Sequence, residues 1–279
     1  MSEDTAVYPA LVDDVPPLAT PRGLEAAGGR FISRGRLAAR ALYWVGWLGV
    51  AGRRGVSTGF QREFEALGLG ALRLVASAGV LVGLIATFQV AYQLAPFSAE
   101  VMSSRALGWF AAREFGPLVA GLLIVARSAS AIAGEFAAMS ATNELDALRA
   151  MGLDPVKYLV APKLAALLVA LPALTIIADG AIIVGGWIGS TFFLGYGTNF
   201  YLTQLQEAVS VRDLAVGFGK SVIFALVLGI VASDEGLSVD PTYAAIGGAA
   251  TRAVVFCLIG VLGADTLVNA VFYFIPTLV

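Results

Sequence analysis

The stretch that decides the fold is REFGPLVAGLLIVARSASAIAGEFAAMSATNELDALRAMGLDPVKYLVAPK, residues 113–163. Its first half, Phe115–Met139, is almost wholly apolar or small. It is longer than the roughly 20 residues that a helix needs to cross a bilayer. A short charged segment follows, and apolar residues resume at Leu164. The stretch therefore predicts two membrane-spanning helices joined by a short connection at one membrane surface.

The connection has the pattern of a short amphipathic helix. Thr142 is a suitable N-cap, and Gly152 is suited to the left-handed conformation that ends a helix. Leu145, Leu148 and Met151 follow at intervals of three and give the helix one apolar side. We expect this helix to offer a surface that a soluble partner binds.

The composition indicates a helical membrane protein with several spans. Hydrophobic residues make up 58% of the 279 residues and charged residues 14%, which lies outside the range of soluble domains. The net charge of -2 argues against a nucleic-acid partner. The chain has no His and one Cys, which excludes a His/Cys metal site and an internal disulfide.

The chain divides into three regions. Residues 1–33 are acidic and without periodicity, and we expect a disordered cytosolic tail. Residues 34–70 mix Arg with Tyr and Trp, which is more typical of an interfacial or elbow helix than of a span. Residues 71–279 form the membrane domain, with spans predicted at residues 74–94, 115–139, 164–193, 214–232 and 253–275.

The distribution of Lys and Arg predicts the orientation. If the N-terminus is cytoplasmic, thirteen of these residues lie on that side and four lie on the other. The four are Arg105, Arg113, Arg212 and Lys220. Positive charge accumulates on the cytoplasmic side of membrane proteins. The pattern therefore predicts a cytoplasmic N-terminus, a C-terminus on the opposite side, and a cytosolic helix around residues 142–152.

Three charged residues lie about 12–15 residues into predicted spans, which places them near mid-depth: Arg127, Asp179 and Asp265. Such charges are costly in a membrane unless they are paired or face water. They either form buried ion pairs, with Arg127 neutralised by Asp265 or Asp179, or face a cavity that takes a lipid headgroup. Gln89, alone among apolar neighbours, either donates an interhelical hydrogen bond or lines a cleft.

Two motifs that resemble enzyme sites are incomplete. The segment Gly55–Gly59 has the Gly-x-Ser-x-Gly form of a nucleophile elbow, but a chain without His lacks the usual triad base. Gly219-Lys220-Ser221 resembles the end of a phosphate-binding loop, but Leu214 stands where its first glycine would be. We therefore expect neither catalysis nor ATP binding by this chain.

The same residues carry a resemblance to a family. R-E-x-G-P at Arg113–Pro117, A-R-x-x-S-A-x-x-x-E at Ala126–Glu135 and T-x-x-x-D-A-L-x-x-M-G-x-D-P at Thr142–Pro155 resemble the signature of MlaE-type (YrbE) permeases. These permeases are the membrane subunits of ABC transporters that move lipids with MCE proteins. One departure is that Asn143-Glu144 stands where the family usually has Glu-Gln. This moves the acid by about 100° around the helix.

The resemblance covers roughly residues 65–275 and implies an all-α permease that moves phospholipid between a bacterial inner membrane and a periplasmic MCE protein. It implies a second copy of the chain, two ATP-binding subunits that hold the ATP, and no cofactor on this chain. The implied lipid cleft contains Gln89, Tyr92, Arg113 and Glu114. The implied coupling helix contains Asn143, Glu144, Leu145, Asp146, Leu148 and Met151. A secondary transporter or a lipid-modifying membrane enzyme is the alternative from the residues alone.

Overall fold

The computed structural model describes residues 24–51, 54–97, 102–240 and 242–274. All regular secondary structure in these ranges is helical. The helices are α1 (Leu24–Ala51), α2 (Arg54–Leu67), α3 (Leu72–Leu94), α4 (Ser103–Phe110), α5 (Gly116–Ile124), α6 (Ser130–Ala141), α7 (Glu144–Ala150), α8 (Ala161–Ile188), α9 (Thr198–Ala208), α10 (Val211–Leu237) and α11 (Tyr243–Phe274). Five-residue π-helical turns join α4 to α5 and α5 to α6, and also flank α8.

Five helical stretches in the described ranges are long and apolar enough to cross a membrane, which confirms the predicted number. They are Gly59–Phe97, Ser103–Ala141, Val156–Phe193, Val211–Leu237 and Tyr243–Phe274, here named spans 1 to 5. Each helical stretch is longer than the span predicted from its apolar residues, because the polar turns on either side of the apolar run continue the helix. The protein is therefore a multi-pass helical membrane protein.

Span 3 lies at the centre of the bundle, where α8 packs against α2, α3, α5 and α10. Its contact with α3 is close because both helices present glycines. A Cβ atom at Gly83 would overlap the carbonyl of Ile182, and one at Gly185 would overlap the carbonyl of Val80. Gly79-x-x-x-Gly83 and Gly185-x-x-x-Gly189, a spacing typical of closely packed membrane helices, thus bring two helices of one chain together.

The region before span 1 is more helical than predicted. Helix α1 begins at Leu24, so residues 24–33 of the expected tail are helical, while residues 1–23 lie outside the described residues. Helix α2 begins at Arg54 and includes Ser57. A nucleophile elbow requires a strand followed by a turn and a helix. This segment is helical throughout and has no such geometry.

Helix α9 connects spans 3 and 4 outside the spanning stretches. Its Tyr201 side chain is buried, and the hydroxyl donates a hydrogen bond of 2.8 Å to the carbonyl of Ile183. Burial raises the pKa of Tyr201, because the phenolate would be poorly solvated there. The neutral tyrosine therefore fixes α9 to the end of α8.

Candidate functional site

Three spans are joined by an ionic network around Lys220 of α10. The Lys220 ammonium lies 2.7 Å from Glu114 Oε2 in span 2. It also lies 2.9 Å from Asp265 Oδ1 in α11, an ion-pair distance without hydrogen-bond alignment. The Asn269 amide donates to Glu114 at 3.2 Å and to Asp265 at 3.3 Å. We call these four residues the Lys220 network.

The Lys220 network is centred on a lysine that the predicted orientation places among the four Lys and Arg residues of the non-cytoplasmic side. The Lys220 side chain has no exposed surface, and Glu114 and Asp265 are 20% and 12% exposed. A buried charge is tolerated only with a counter-charge in good geometry. Lys220 therefore neutralises one of two carboxylates, and the amide of Asn269 solvates both.

Arg113 takes part in a neighbouring contact. Its guanidinium lies 3.5 Å from Asp213 Oδ1 and between the rings of Trp109 and Phe272, at 5.4 and 5.3 Å from their centroids. Asp213 also belongs to the capping box that begins α10. Arg113 is thus held by charge and by two aromatic faces, and it ties span 2 to the start of span 4.

The predicted pairing of Arg127 is not present among the described residues. Asp265 pairs with Lys220 instead. Asp179 is 6% exposed, its Oδ1 has no hydrogen-bond partner, and it lies against Gly116. Arg127 is exposed, and its guanidinium lies against the backbone of Gly70. The three predicted charges are therefore at three separate places rather than in one network.

Gln89 and Tyr92 lie on the face of α3 that points away from the helix bundle. Both are exposed, and Tyr92 is 79% exposed. Neither makes a side-chain hydrogen bond within the described chain, so Gln89 is not an interhelical donor here. The same helix buries Gly79 and Gly83 on its opposite side against α8. This face of α3 is therefore free to contact lipid or another subunit.

The N-terminal end of α7 differs from the prediction, and its C-terminal end matches it. The Thr142 hydroxyl lies 3.1 and 3.3 Å from the carbonyl oxygens of Ala138 and Met139, while Asn143, with φ 58°, is the left-handed residue before α7. Thr142 is thus not the N-cap. At the other end Gly152 has φ 73°, and the amides of residues 152 and 153 bond to the carbonyls of Arg149 and Leu148. This is the Schellman arrangement that the glycine predicts.

The apolar side of α7 is only partly covered. Leu145 is 4% exposed, Leu148 is half-buried and Met151 is 65% exposed. On the polar side Arg149 pairs with Asp146 at 2.8 Å, and Glu144 accepts a hydrogen bond from Thr142. Leu145 therefore fixes α7 to its own chain, while Leu148 is only partly covered and Met151 is exposed.

Comparison with known proteins identifies the family. The model of the family described as "Permease MlaE" matches residues 60–271, which contain spans 2 to 4 and all but the outermost residues of spans 1 and 5. The chain belongs to the MlaE permease family.

Several known proteins are similar to this chain over most of its length. The intermembrane phospholipid transport system permease protein MlaE of Haemophilus influenzae is 30% identical over 213 residues, covering 76% of this chain and 82% of its own. A probable ABC transporter permease protein of Rickettsia typhi is 29% identical over the same shares. The chloroplastic protein TRIGALACTOSYLDIACYLGLYCEROL 1 of Arabidopsis thaliana is 24% identical over 76% of this chain and 61% of its own.

This MlaE-family chain has two further ionic clusters that sequence reasoning missed. In one, the Lys163 ammonium lies 2.7 Å from Glu63 and 2.9 Å from Glu135, and so joins α8 to α2 and α6. Glu135 is the last residue of the second family motif. The sequence predicts the position of Glu135 at the end of span 2, but it does not predict that Lys163, 28 residues later, is its partner.

The second cluster holds α1 against this MlaE-family bundle. Arg34 binds Asp234 at 2.9 Å and Glu235 at 2.6 Å, and Arg252 binds Glu235 at 3.2 Å. Both carboxylates are about 95% buried. The sequence contained one signal for this cluster, the adjacent acids Asp234 and Glu235 at the end of a predicted span. Buried carboxylates require cationic partners.

Proposed function

We propose that this chain is the permease subunit of an ABC transporter that moves phospholipid between a bacterial inner membrane and a periplasmic MCE protein. The observation that carries the proposal is the match of residues 60–271 to the MlaE permease family on a chain with five spanning helices. The name of the Haemophilus influenzae relative, an intermembrane phospholipid transport system permease, supports the substrate class.

The proposed assembly contains two copies of this chain and two ATP-binding subunits. Helix α7 is the coupling helix, and Leu148 and Met151 on its uncovered side enter a groove of the ATP-binding subunit. That subunit holds and hydrolyses ATP, so this chain is not itself an enzyme and binds no cofactor. The helical conformation of Ser57 and the burial of Lys220 support this division, since neither can serve the motif in which it stands.

The proposed topology places the N-terminus and α7 in the cytoplasm. Five spans then put the C-terminus in the periplasm, and α1 lies in the headgroup region of the inner leaflet. The excess of Lys and Arg on the cytoplasmic side supports this orientation. The contact of Arg34 with Asp234 and Glu235 supports a position of α1 alongside the cytoplasmic ends of spans 4 and 5.

The proposed lipid cleft lies between the two copies, with Gln89 and Tyr92 on its wall and Arg113 and Glu114 near its outer rim. A protein cleft is needed because exposing an acyl chain to water costs about 0.8 kcal/mol per CH₂. Two chains of about 16 carbons would therefore cost on the order of 25 kcal/mol. The exposed apolar face of α3, with Leu81, Ile85 and Phe88, supports an apolar wall.

The test is purification of the tagged chain from its native membrane in mild detergent. The proposal expects a stoichiometric ATP-binding subunit, a two-plus-two assembly in native mass spectrometry, and bound phospholipid. Reconstituted vesicles should pass labelled phospholipid to a purified MCE protein, or receive it, only with ATP. Transport that follows an ion gradient without ATP would instead indicate a secondary transporter. Chemical change of the lipid would indicate an enzyme.

A further inference from the structure

Arg127 is a cation inside span 2 that the described chain does not neutralise. Its side chain is exposed, and it forms no ion pair with any described residue. The guanidinium lies against Gly70, where a Cβ atom would overlap Arg127 Nη2. The absence of a side chain at Gly70 therefore leaves room for the guanidinium at the junction between α2 and α3.

The depth of this guanidinium follows from the Lys163 cluster. Glu135 and Glu63 both bind Lys163, so they mark one level of the bundle. Arg127 lies eight residues from Glu135, and Gly70 lies seven residues from Glu63. At 1.5 Å per residue, the two distances place the guanidinium about 10–12 Å further into the membrane than the cluster. An uncompensated charge at that depth is unfavourable and requires an anion.

Arg73 brings a second cation to the same side. It lies three residues after Gly70 on the same helical face, it is exposed, and no described residue pairs with it. Ser77 follows one turn later and is also exposed. Beyond it the exposed face of α3 becomes apolar, with Leu81, Ile85 and Phe88. Two arginines thus stand at the cytoplasmic end of an apolar strip.

We infer that Arg127 and Arg73 bind the phosphate of a phospholipid from the cytoplasmic leaflet, with its acyl chains along the outer face of α3. A phosphodiester offers two anionic oxygens, and guanidinium groups bind such oxygens in paired hydrogen bonds. The order of groups along α3, cationic first and apolar beyond, matches a lipid whose headgroup points to the cytoplasm. The inference rests on the proposed function and adds a headgroup site to it.

A carboxylate from the second copy is the competing anion, and the charge balance disfavours it. Among the described side chains of α2 and α3, Glu63 is occupied by Lys163, and Glu65 is the other acid. Glu65 lies five residues before Gly70, about 7 Å nearer the cytoplasm. If each copy offered its Glu65 to the other copy, one carboxylate would face both Arg73 and Arg127 in each copy. A lipid phosphate is present at every such site and can bind both.

The experiment uses the full-length chain in phosphatidylethanolamine and phosphatidylglycerol vesicles that carry a trace of ³²P-labelled phosphatidylglycerol. A benzophenone amino acid replaces Ser77, and the labelled protein is counted after illumination. We expect the double variant Arg73→Gln/Arg127→Gln to reduce capture at least tenfold. Arg73→Lys/Arg127→Lys should retain most of it. The same photoprobe at Ile176, exposed on α8, is the matched control and should not respond to either change.

Two further arms identify the anion. Tritiated diacylglycerol with the same chains lacks the phosphate, and we expect its capture at residue 77 to be no higher than at residue 176. Equal capture of both lipids at residue 77, or full capture by the double glutamine variant, would overturn the inference. So would a Glu65→Gln variant that loses capture and dissociates into monomers, since this would indicate an ion pair between copies.

If the double variant does not fold, Arg73→Gln alone is compared with Arg73→Lys. Co-purification of the ATP-binding subunit tests the proposed function separately.

Discussion

Lys220 and Asp265 lie 2.9 Å apart on two different spanning helices, and the lysine side chain has no exposed surface. Glu114 completes the contact from a third span at 2.7 Å. A single ammonium therefore holds two carboxylates and links spans 2, 4 and 5.

Lys220→Met should lower the free energy of unfolding by about 3–5 kcal/mol, because it leaves Glu114 and Asp265 buried and uncompensated. Thermal unfolding in detergent measures the change. The triple variant Glu114→Gln/Lys220→Met/Asp265→Asn should recover most of the loss, because it removes the stranded charges. Arg105→Met is the control, since Arg105 and Glu207 are about half exposed and such pairs contribute about 0–1 kcal/mol. A triple variant no better than Lys220→Met would contradict the electrostatic explanation.

Gly83→Val should separate α3 from α8. The added side chain would overlap the backbone carbonyl of Ile182, which cannot move without moving the helix. We expect loss of folded protein in size-exclusion chromatography. Gly134→Ala is the matched control, because no heavy atom lies within 4 Å of its added Cβ. That variant should be neutral or more stable by up to about 1 kcal/mol, the difference in helix propensity. Tolerance of Gly83→Val would contradict the close packing of the two helices.

Arg34→Ala should release α1 from the bundle while the spans stay folded. Arg34 forms the ion pairs of α1 with Asp234 and Glu235, and its removal leaves Glu235 paired with Arg252 and Asp234 with a hydrogen bond from Ser33. Faster hydrogen exchange confined to α1 is the expected result. Arg36→Ala removes the same charge from an exposed position of α1 and should leave the exchange unchanged. Equal exchange in both variants would show that other contacts hold the helix.

The five spans could be predicted from the sequence because each is an apolar run longer than a bilayer requires. The end of α7 could be predicted as well, because Gly152 suits a left-handed stop and adopts φ 73°. Both are local properties of the chain. They require no knowledge of what lies beside the helix.

The ionic partners could not be predicted, because they depend on the arrangement of whole helices. Lys220 lies 106 residues from Glu114 along the chain, and its burial becomes visible only once spans 2, 4 and 5 are packed. Arg127 lies in a π-helical turn, Val125–Ala129, where the regular periodicity of 3.6 residues no longer tells which way a side chain points. Thr142 failed as a predicted cap because the left-handed Asn143 separates it from α7.

Leu148→Arg should abolish co-purification of the ATP-binding subunit and leave the permease folded. The half-buried side chain lies on the apolar side of α7, next to the exposed Met151, where a partner would bury it. A charge there would be buried without a counter-charge. Ala150→Arg, on the opposite side of the same helix, is the matched control and should retain the subunit. Unchanged stoichiometry for Leu148→Arg in a pull-down would remove the coupling role of α7.

A photocrosslinker at residue 89 or 92 should capture phospholipid more strongly than one at a lipid-facing position elsewhere. Gln89 and Tyr92 are exposed on α3 toward its outer end, where the proposed cleft opens between two copies. Val227 is unsuitable for comparison because it packs against Gly260 of α11, so Ile176 on α8 serves as the control. We expect at least a fivefold excess at residues 89 and 92, and a fall to the control level when ATP hydrolysis empties the cleft into an acceptor. Equal capture at all three positions would mean that ordinary bilayer lipid surrounds this face, and the cleft would have to be placed elsewhere.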